Sequence, residues 1–172
     1  MTKQLEIEKK YLVKFPKSWS DLSELFEDLV DIKRISQAYL KIDSEKESPR
    51  VRKTVEGLTG ETKVVYHLNQ KKPVSTGVHE EKEVEITKNE YEKYLKKKLP
   101  DKFVLEKTRF VFKYEDQIFE LDLFKGPLKG LAILEIELKN KNQKVKLPKF
   151  LPVIKEVTDE KKYSNFELSN KK

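Results

Sequence analysis

The sequence contains no cysteine and no long apolar segment, and each absence excludes a kind of protein. Without cysteine, the chain forms no disulfide, no zinc–thiolate site and no cysteine nucleophile, which fits a reducing compartment. No apolar run approaches the ~20 residues that a membrane-spanning helix needs. The first ten residues are too polar and charged for a secretory signal peptide. We therefore expect a soluble cytoplasmic protein with no membrane partner.

Charge is abundant but nearly balanced in this chain. The 172 residues include 37 basic and 30 acidic side chains, for a net charge of +7. Much of the excess is scattered lysine, which is more typical of a solubilising surface than of a nucleic-acid interface. The composition thus argues against a nucleic-acid partner. The length fits one domain with a real core, so we predict a single domain over residues 1–172.

Like-charged residues recur at alternate positions in six short segments. Because residues i and i+2 of a strand point to the same face, each segment forms a charged row on one face of a strand. A solvated strand face is the simplest interpretation of any single row, but it does not explain why the rows sort by sign. The acidic rows are Glu6/Glu8 (followed by Lys10), Glu81/Glu83, Glu120/Asp122 and Glu135/Glu137; the basic rows are Arg50/Arg52 and Lys107/Arg109.

Strand-like patterns run along most of the chain and are interrupted by two helical segments. We predict strands at about 3–14, 32–42, from 50 onward, 63–71, 79–86, 103–114, 118–124 and 131–138. One helix should run from Ser18 or Ser20 to Val30, with Trp19, Leu22, Leu25, Phe26 and Leu29 in the core. The other should be capped by Thr87 and end near Leu99. Residues 148–152 suggest a packed loop or short helix. This order favours an α+β fold, an antiparallel β-barrel with helices packed outside.

If one closed sheet carries all six rows, their charged faces converge inside the barrel. An empty ring of like charges in a low-dielectric tunnel is costly, whereas bound cations and anions make it tolerable. Carboxylates are hard oxygen donors that suit Mg²⁺ or Mn²⁺. Arginine and lysine offset the charge that develops during phosphoryl transfer. One metal could bind substrate phosphates while another activates water.

The ordered set of rows resembles the CYTH superfamily, the triphosphate tunnel metalloenzymes. Glu6-x-Glu8-x-Lys10 is similar to the ExExK signature, and the basic rows are similar to the RxR and KxR motifs. The segment 37–40 resembles the QxYL motif of the second strand. Residues 156–158 and 162–165 resemble the C-terminal EVT…(R/K)YxN segment. The resemblance covers roughly residues 4–166, with one departure: Asn69-Gln70 precede Lys71 where threonine and an aliphatic residue are usual.

This resemblance implies an eight-stranded antiparallel barrel around a triphosphate-binding tunnel, with Mg²⁺ or Mn²⁺ as cofactor. The implied metal ligands are Glu6, Glu8, Glu135 and Glu137, with Glu81, Glu83 and Asp122 as further candidates. The implied phosphate contacts are Lys10, Arg50, Arg52, Lys71, Lys107 and Arg109, with Lys162 reaching in from the C-terminal segment. Glu8, Lys10 and Lys71 are the catalytic candidates. For Glu85 and Glu120, a solvated or structural role fits at least as well as a role in the site. His79 is interpreted as a residue at the rim of the tunnel.

Members of this family act on inorganic triphosphate, thiamine triphosphate, nucleoside triphosphates or RNA 5′-ends, or cyclise ATP. The compact chain and its C-terminal motif resemble the small bacterial-type phosphohydrolases. We therefore predict metal-dependent hydrolysis of inorganic triphosphate to pyrophosphate and phosphate. The alternatives are a nucleoside or thiamine triphosphatase and, after them, a class IV-type adenylate cyclase or a non-catalytic polyphosphate or RNA-end binder. A monomer and a homodimer both fit the sequence, and His79 or Tyr39 could stack a base at the rim.

Overall fold

Eight antiparallel strands close into a barrel in the computed structural model, which describes residues 2–41, 49–58 and 60–171. The sheet order is β5-β4-β3-β2-β6-β7-β8-β1, and β1 also pairs with β5, which closes the barrel. The predicted fold class is thus confirmed. The strands are β1 Thr2–Val13, β2 Leu29–Tyr39, β3 Arg50–Glu56, β4 Lys63–Ser75, β5 Val78–Glu85, β6 Leu105–Tyr114, β7 Gln117–Phe124, β8 Ala132–Glu137 and β9 Val153–Glu156.

The first strand closes the barrel by pairing with different strands along its two halves. Residues 2–7 of β1 pair with β5, and residues 8–13 pair with β8. The second pairing places Glu8 opposite Glu137 and Lys10 opposite Glu135. The short ninth strand, which the sequence pattern did not predict, adds to the end of β1. Residues 148–152 form a loop, as predicted, and Ile42 lies outside the described residues.

Three short helices lie outside the barrel wall: α1 Ser23–Glu27, α2 Lys88–Leu95 and α3 Asn165–Leu168. The Thr87 hydroxyl accepts a hydrogen bond from the Glu90 amide at 3.2 Å, and the Glu90 carboxylate accepts one from the Thr87 amide at 2.7 Å. This capping box begins α2 where the sequence predicts it. The helix ends at Leu95, four residues before the predicted end. Within the described residues, no helix is long and apolar enough to cross a membrane.

The first predicted helix is wrong in its extent. A 3₁₀ turn at Trp19–Leu22 leads into α1, and the chain already enters β2 at Leu29, which pairs with Phe112. Cross-strand pairing thus overrides the helical pattern beyond residue 27. The short helix buries Leu22 and Leu25 but leaves Trp19 67% exposed, against the prediction of a core position. A 3₁₀ turn has three residues per turn, so it rotates Trp19 away from the face that an α-helix would bury.

The main apolar core lies on the outside of the barrel wall, because the charged rows occupy the inside. Alternate residues of four strands pack beneath α1 and the loop around Leu151. Each Å² of apolar surface buried there contributes ~25 cal/mol to the free energy of folding. The members of this core include Tyr11, Val13, Phe112, Phe119, Leu121, Leu134 and Ile136. A smaller apolar cluster lies at one end of the barrel, where Leu105, Phe124 and Ile133 meet the C-terminal segment.

Candidate active site

A tunnel lined by charged side chains runs through the barrel as two vestibules joined by a narrow waist. The C-terminal vestibule, about 600 Å³, is bounded by Tyr39, His79 and the segment 157–167. The distal vestibule, about 580 Å³, is bounded by Lys33, His67 and several carboxylates. The waist measures about 80 Å³. It shares Glu8, Lys10, Arg50 and Lys71 with the first vestibule and Glu6, Arg52, Arg109 and Glu137 with the second.

Two arginines of β3 face the waist from one strand. Arg50 donates a hydrogen bond to Glu81 at 3.0 Å. The buried Nε of Arg52 has no hydrogen-bond partner among the described residues, and Arg52 forms no ion pair with any of them. Burial, followed by repulsion from Arg50 and Arg109, lowers the pKa of Arg52 to about 10. Arg52 is therefore still cationic at neutral pH. Glu81 and Glu83 attract it from beyond ion-pair distance, and its buried Nε stays without an acceptor until an anion binds.

The three predicted catalytic residues come together at the waist, with Glu8 and Lys10 on β1 and Lys71 on β4. The Nζ atom of Lys71 lies 2.8 Å from Glu6 and 3.2 Å from Glu8. The Nζ atom of Lys10 lies 3.4 Å from Glu8 and 3.3 Å from Glu135. Burial acts to lower the pKa of Lys10, but the carboxylates of Glu135 and Glu8 outweigh it and raise that pKa. Lys10 is therefore charged where a substrate would pass.

Carboxylates crowd the waist around Glu137. Burial, followed by repulsion from Glu6, Glu120 and Glu8, raises the pKa of the Glu137 carboxyl. Excess negative charge thus collects beside oxygen donors, which is the chemistry that a hard divalent cation neutralises. In the described part of the chain, no three His, Asp or Glu side chains already stand in an arrangement that could hold a metal ion. The carboxylates of Glu6, Glu8 and Glu137 fit Mg²⁺ or Mn²⁺ in chemistry, and all three line the waist, but they would have to draw together to hold one ion.

Asp122 has a different environment from these carboxylates. It is fully buried and does not line any part of the tunnel described above. Its two oxygens accept hydrogen bonds from Arg109 Nε and Nη2, both at 2.7 Å, and from Lys107 Nζ at 2.5 Å. Both oxygens are therefore already occupied by cations of the protein, which makes Asp122 a poor metal ligand.

Three further predicted ligands also have partners. The Glu135 carboxylate accepts a hydrogen bond from Arg109 at 2.7 Å. Burial acts to raise the pKa of Glu135, but Lys10 and Arg109 outweigh it and hold that pKa well below its usual value. Glu81 accepts from Asn69 at 3.2 Å, and Asn69 also donates to Glu83. Asn69 is fully buried and shares a strand face with Lys71. The sequence analysis noted it only as a departure from the family motif, although its i+2 relation to Lys71 placed it on the tunnel face.

Two predicted phosphate contacts lie away from the tunnel wall. The Lys107 side chain is 1% exposed and sits between Asp122 and the Phe124 ring, whose centroid is 5.4 Å from Nζ. Lys162 points outward with 68% of its side chain exposed and approaches Glu160 at 3.4 Å. The neighbouring Lys161 lines the C-terminal vestibule instead. Five of the seven implied phosphate contacts therefore face the tunnel: Lys10, Arg50, Arg52, Lys71 and Arg109.

Comparison with known proteins supports this architecture. The CYTH domain family matches residues 4–157. The inorganic triphosphatase of Acetivibrio thermocellus is 39% identical over 98 residues, which span 56% of this chain and 61% of that protein, less than two thirds of its length. The crystal structure of the inorganic triphosphatase NE1496 is 27% identical with a TM-score of 0.58, covering 95% of this chain and 93% of that one.

A more distant structure agrees in fold alone. It is the putative adenylyl cyclase HpAC1 from Hippeastrum, described with a dominant triphosphatase activity. It is 19% identical with a TM-score of 0.56, covering 78% of this chain and 80% of that one. Because the family match extends over most of the sequence, the chain belongs to the CYTH domain family.

Proposed function

We propose that this CYTH protein hydrolyses inorganic triphosphate to pyrophosphate and phosphate within its tunnel, with Mg²⁺ or Mn²⁺ as cofactor. One observation carries the proposal: in the charged waist, the buried Nε of Arg52 has no hydrogen-bond acceptor, and no carboxylate of the described residues lies within ion-pair distance of this guanidinium. A phosphate group would supply the missing charge and accept its hydrogen bonds. The names of the Acetivibrio thermocellus protein and of NE1496 support triphosphate as the substrate.

The basic side chains of the waist would bind and orient the substrate. Arg50 and Arg52 project from one strand, and Lys10 and Lys71 reach in from two others, so phosphate oxygens could be held from several sides. Fixed cations stabilise charge that develops on the transferring phosphoryl group. Lys10 and Lys71 are the candidates for that role, with Glu8 holding both ammonium groups by ion pairs at 3.4 and 3.2 Å.

The carboxylates Glu6, Glu8 and Glu137 would hold the divalent cation. When bound, such an ion would supply Lewis-acid stabilisation of phosphate charge and would make water a better nucleophile. A carboxylate site of this kind would serve no purpose in a simple anion binder, which supports catalysis over non-catalytic polyphosphate binding.

A nucleoside triphosphatase is the second candidate, and the C-terminal vestibule favours it. That vestibule is far larger than the waist and contains aromatic side chains at Tyr39, Tyr163 and Phe166. Aromatic rings can stack on a nucleobase. Inorganic triphosphate is the first choice because all the contacts assigned so far go to phosphate and metal, so a nucleoside adds bulk without an assigned polar contact.

Competition kinetics distinguish the two substrates. Phosphate release is measured for inorganic triphosphate and ATP, with Mg²⁺, with Mn²⁺ and with excess EDTA. The proposal expects a higher kcat/KM for inorganic triphosphate and no release in EDTA. A higher value for ATP would favour the second candidate. Cytoplasmic location and a monomeric or homodimeric state belong to the same proposal and rest on the sequence alone.

A further inference from the structure

A buried lysine outside the tunnel has no role in the proposed chemistry. Lys102 is only 2% exposed, and it follows the turn after α2. It forms no ion pair with any described residue. Its Nζ donates to the Phe166 carbonyl at 3.0 Å and to Asn170 Oδ1 at 2.5 Å, and it lies 3.6 Å from the centroid of the Phe166 ring. Burying an ammonium group on neutral partners costs free energy, so the position calls for an explanation.

All these partners belong to the C-terminal segment. Backbone hydrogen bonds join the same two stretches, from the Phe103 amide to Ser169 at 2.9 Å and from the Lys171 amide to Asp101 at 2.9 Å. Leu168 packs on the apolar cluster at the end of the barrel. Because α3 has only four residues, it is too short to be stable alone, and tertiary contacts must hold it. Lys102 supplies the buried polar contacts that fix it in place.

The anchored segment reaches the phosphate-binding side of the tunnel through two aromatic rings. Phe166 meets Tyr39 edge to face, with ring centroids 5.0 Å apart and an interplanar angle of 82°. Tyr39 stands directly opposite Arg50 in the pairing of β2 with β3. Tyr39, Arg50 and Phe166 all line the C-terminal vestibule. The contacts therefore form a continuous path from Lys102 through Phe166 and Tyr39 to Arg50.

We propose that Lys102 is a positioning residue that holds the C-terminal segment against the tunnel mouth, so that Phe166 and Tyr39 keep Arg50 aligned with the substrate. The inference rests on the proposed function, because alignment of Arg50 matters only if phosphates bind there. A methionine at position 102 keeps much of the volume but removes both hydrogen bonds and the charge over the ring. An arginine keeps the charge and the donors.

The test combines a structural and a kinetic measurement on the full chain. Lys102→Met should accelerate amide hydrogen exchange across residues 165–170 and raise KM for inorganic triphosphate about tenfold, since small misplacements of binding groups cost such factors. The change in kcat should be smaller than the change in KM. Lys102→Arg should return most of the slow hydrogen exchange at residues 165–170 and bring KM most of the way back to the wild-type value. Lys98→Met is the matched control, because the Lys98 ammonium donates to the Leu99 and Lys102 carbonyls, at 3.0 and 2.5 Å, and to no described residue of the C-terminal segment. It should leave KM near that of the wild type.

Two results would overturn the inference: unchanged exchange at 165–170 in Lys102→Met, or faster exchange with an unchanged KM. If Lys102→Met does not fold, Phe166→Leu replaces it, and an unchanged KM in that variant would also reject the path through Tyr39. Failure of the proposed function is distinguishable, because the wild type would then release no phosphate from triphosphate. In that case, titration of inorganic triphosphate by calorimetry replaces KM, and equal affinities for wild type and Lys102→Met reject the inference.

Discussion

Arg109 and Asp122 face each other on neighbouring strands and form a two-pronged ion pair, with Nε–Oδ1 and Nη2–Oδ2 both 2.7 Å apart. Lys107 binds the same carboxylate from the adjacent inward position of β6 at 2.5 Å. The pair fixes the plane of the guanidinium and leaves Arg109 on the tunnel wall while Asp122 stays buried. The acidic row of β7 and the basic row of β6 thus hold each other's side chains in place.

Asp122→Asn should lower activity through Arg109 and not through metal binding. Loss of the charge leaves a buried guanidinium with a weaker partner, and we expect kcat/KM to fall by about tenfold to a hundredfold. The metal concentration at half-maximal activity should stay the same, because both oxygens of Asp122 already serve protein cations. A matched change on an exposed turn, Asp116→Asn, is the control. A shift of the metal concentration at half-maximal activity in Asp122→Asn, but not in Asp116→Asn, would show that Asp122 binds the metal.

Glu8→Gln and Glu137→Gln should each raise the requirement for Mg²⁺ or Mn²⁺. Each change removes one anionic oxygen ligand from a hard-cation site, so we expect at least about a tenfold loss of activity at limiting metal. Metal titrations of activity, together with calorimetric titration of Mn²⁺ into the protein, give the shift. Glu92→Gln, on the exposed side of α2, should behave as wild type. If the metal titration curves of the wild type and of the three variants superimpose, Glu8 and Glu137 do not bind the metal.

Arg52→Ala should weaken the binding of triphosphate more than that of monophosphate. Removing one charge-assisted contact costs ~1.5–3 kcal/mol, which corresponds to roughly tenfold to a hundredfold in affinity. Calorimetric titration of both anions into the protein measures the ratio. Arg34→Ala removes an exposed arginine on the next strand and should change neither affinity. Equal losses for the two anions in Arg52→Ala would place this arginine outside the path of the phosphates.

Glu135 should make stability depend on acid pH. Lys10 and Arg109 outweigh burial and hold the folded-state pKa of Glu135 well below the value of ~4.3 typical of an unfolded glutamate. Its contribution is therefore present above that value and is lost as the pH falls through the folded pKa. Unfolding temperatures are measured from pH 7 to pH 3. Below about pH 4.5 they should fall less steeply with falling pH for Glu135→Gln than for the wild type. Parallel curves would contradict the assignment.

Strand periodicity predicted the antiparallel barrel, and one rule placed its charge: rows that sort by sign line the inside of a closed sheet, as the family resemblance also implied. The positions of Arg50 and Arg52 follow directly from that rule. The burial of Lys107 and Asp122 did not follow from it, since the depth of a side chain along the tunnel depends on how the apolar cluster fills one end. Likewise, Lys102 carries no sequence signal, because its partners lie in a segment more than sixty residues away.

The most direct measurement of the central claim follows inorganic triphosphate by ³¹P NMR in the presence of Mg²⁺ or Mn²⁺. The account predicts that each triphosphate consumed yields one pyrophosphate and one phosphate, that excess EDTA stops the reaction, and that Arg52→Ala slows it. Unchanged triphosphate after prolonged incubation with saturating metal, or equal turnover in EDTA, would contradict it.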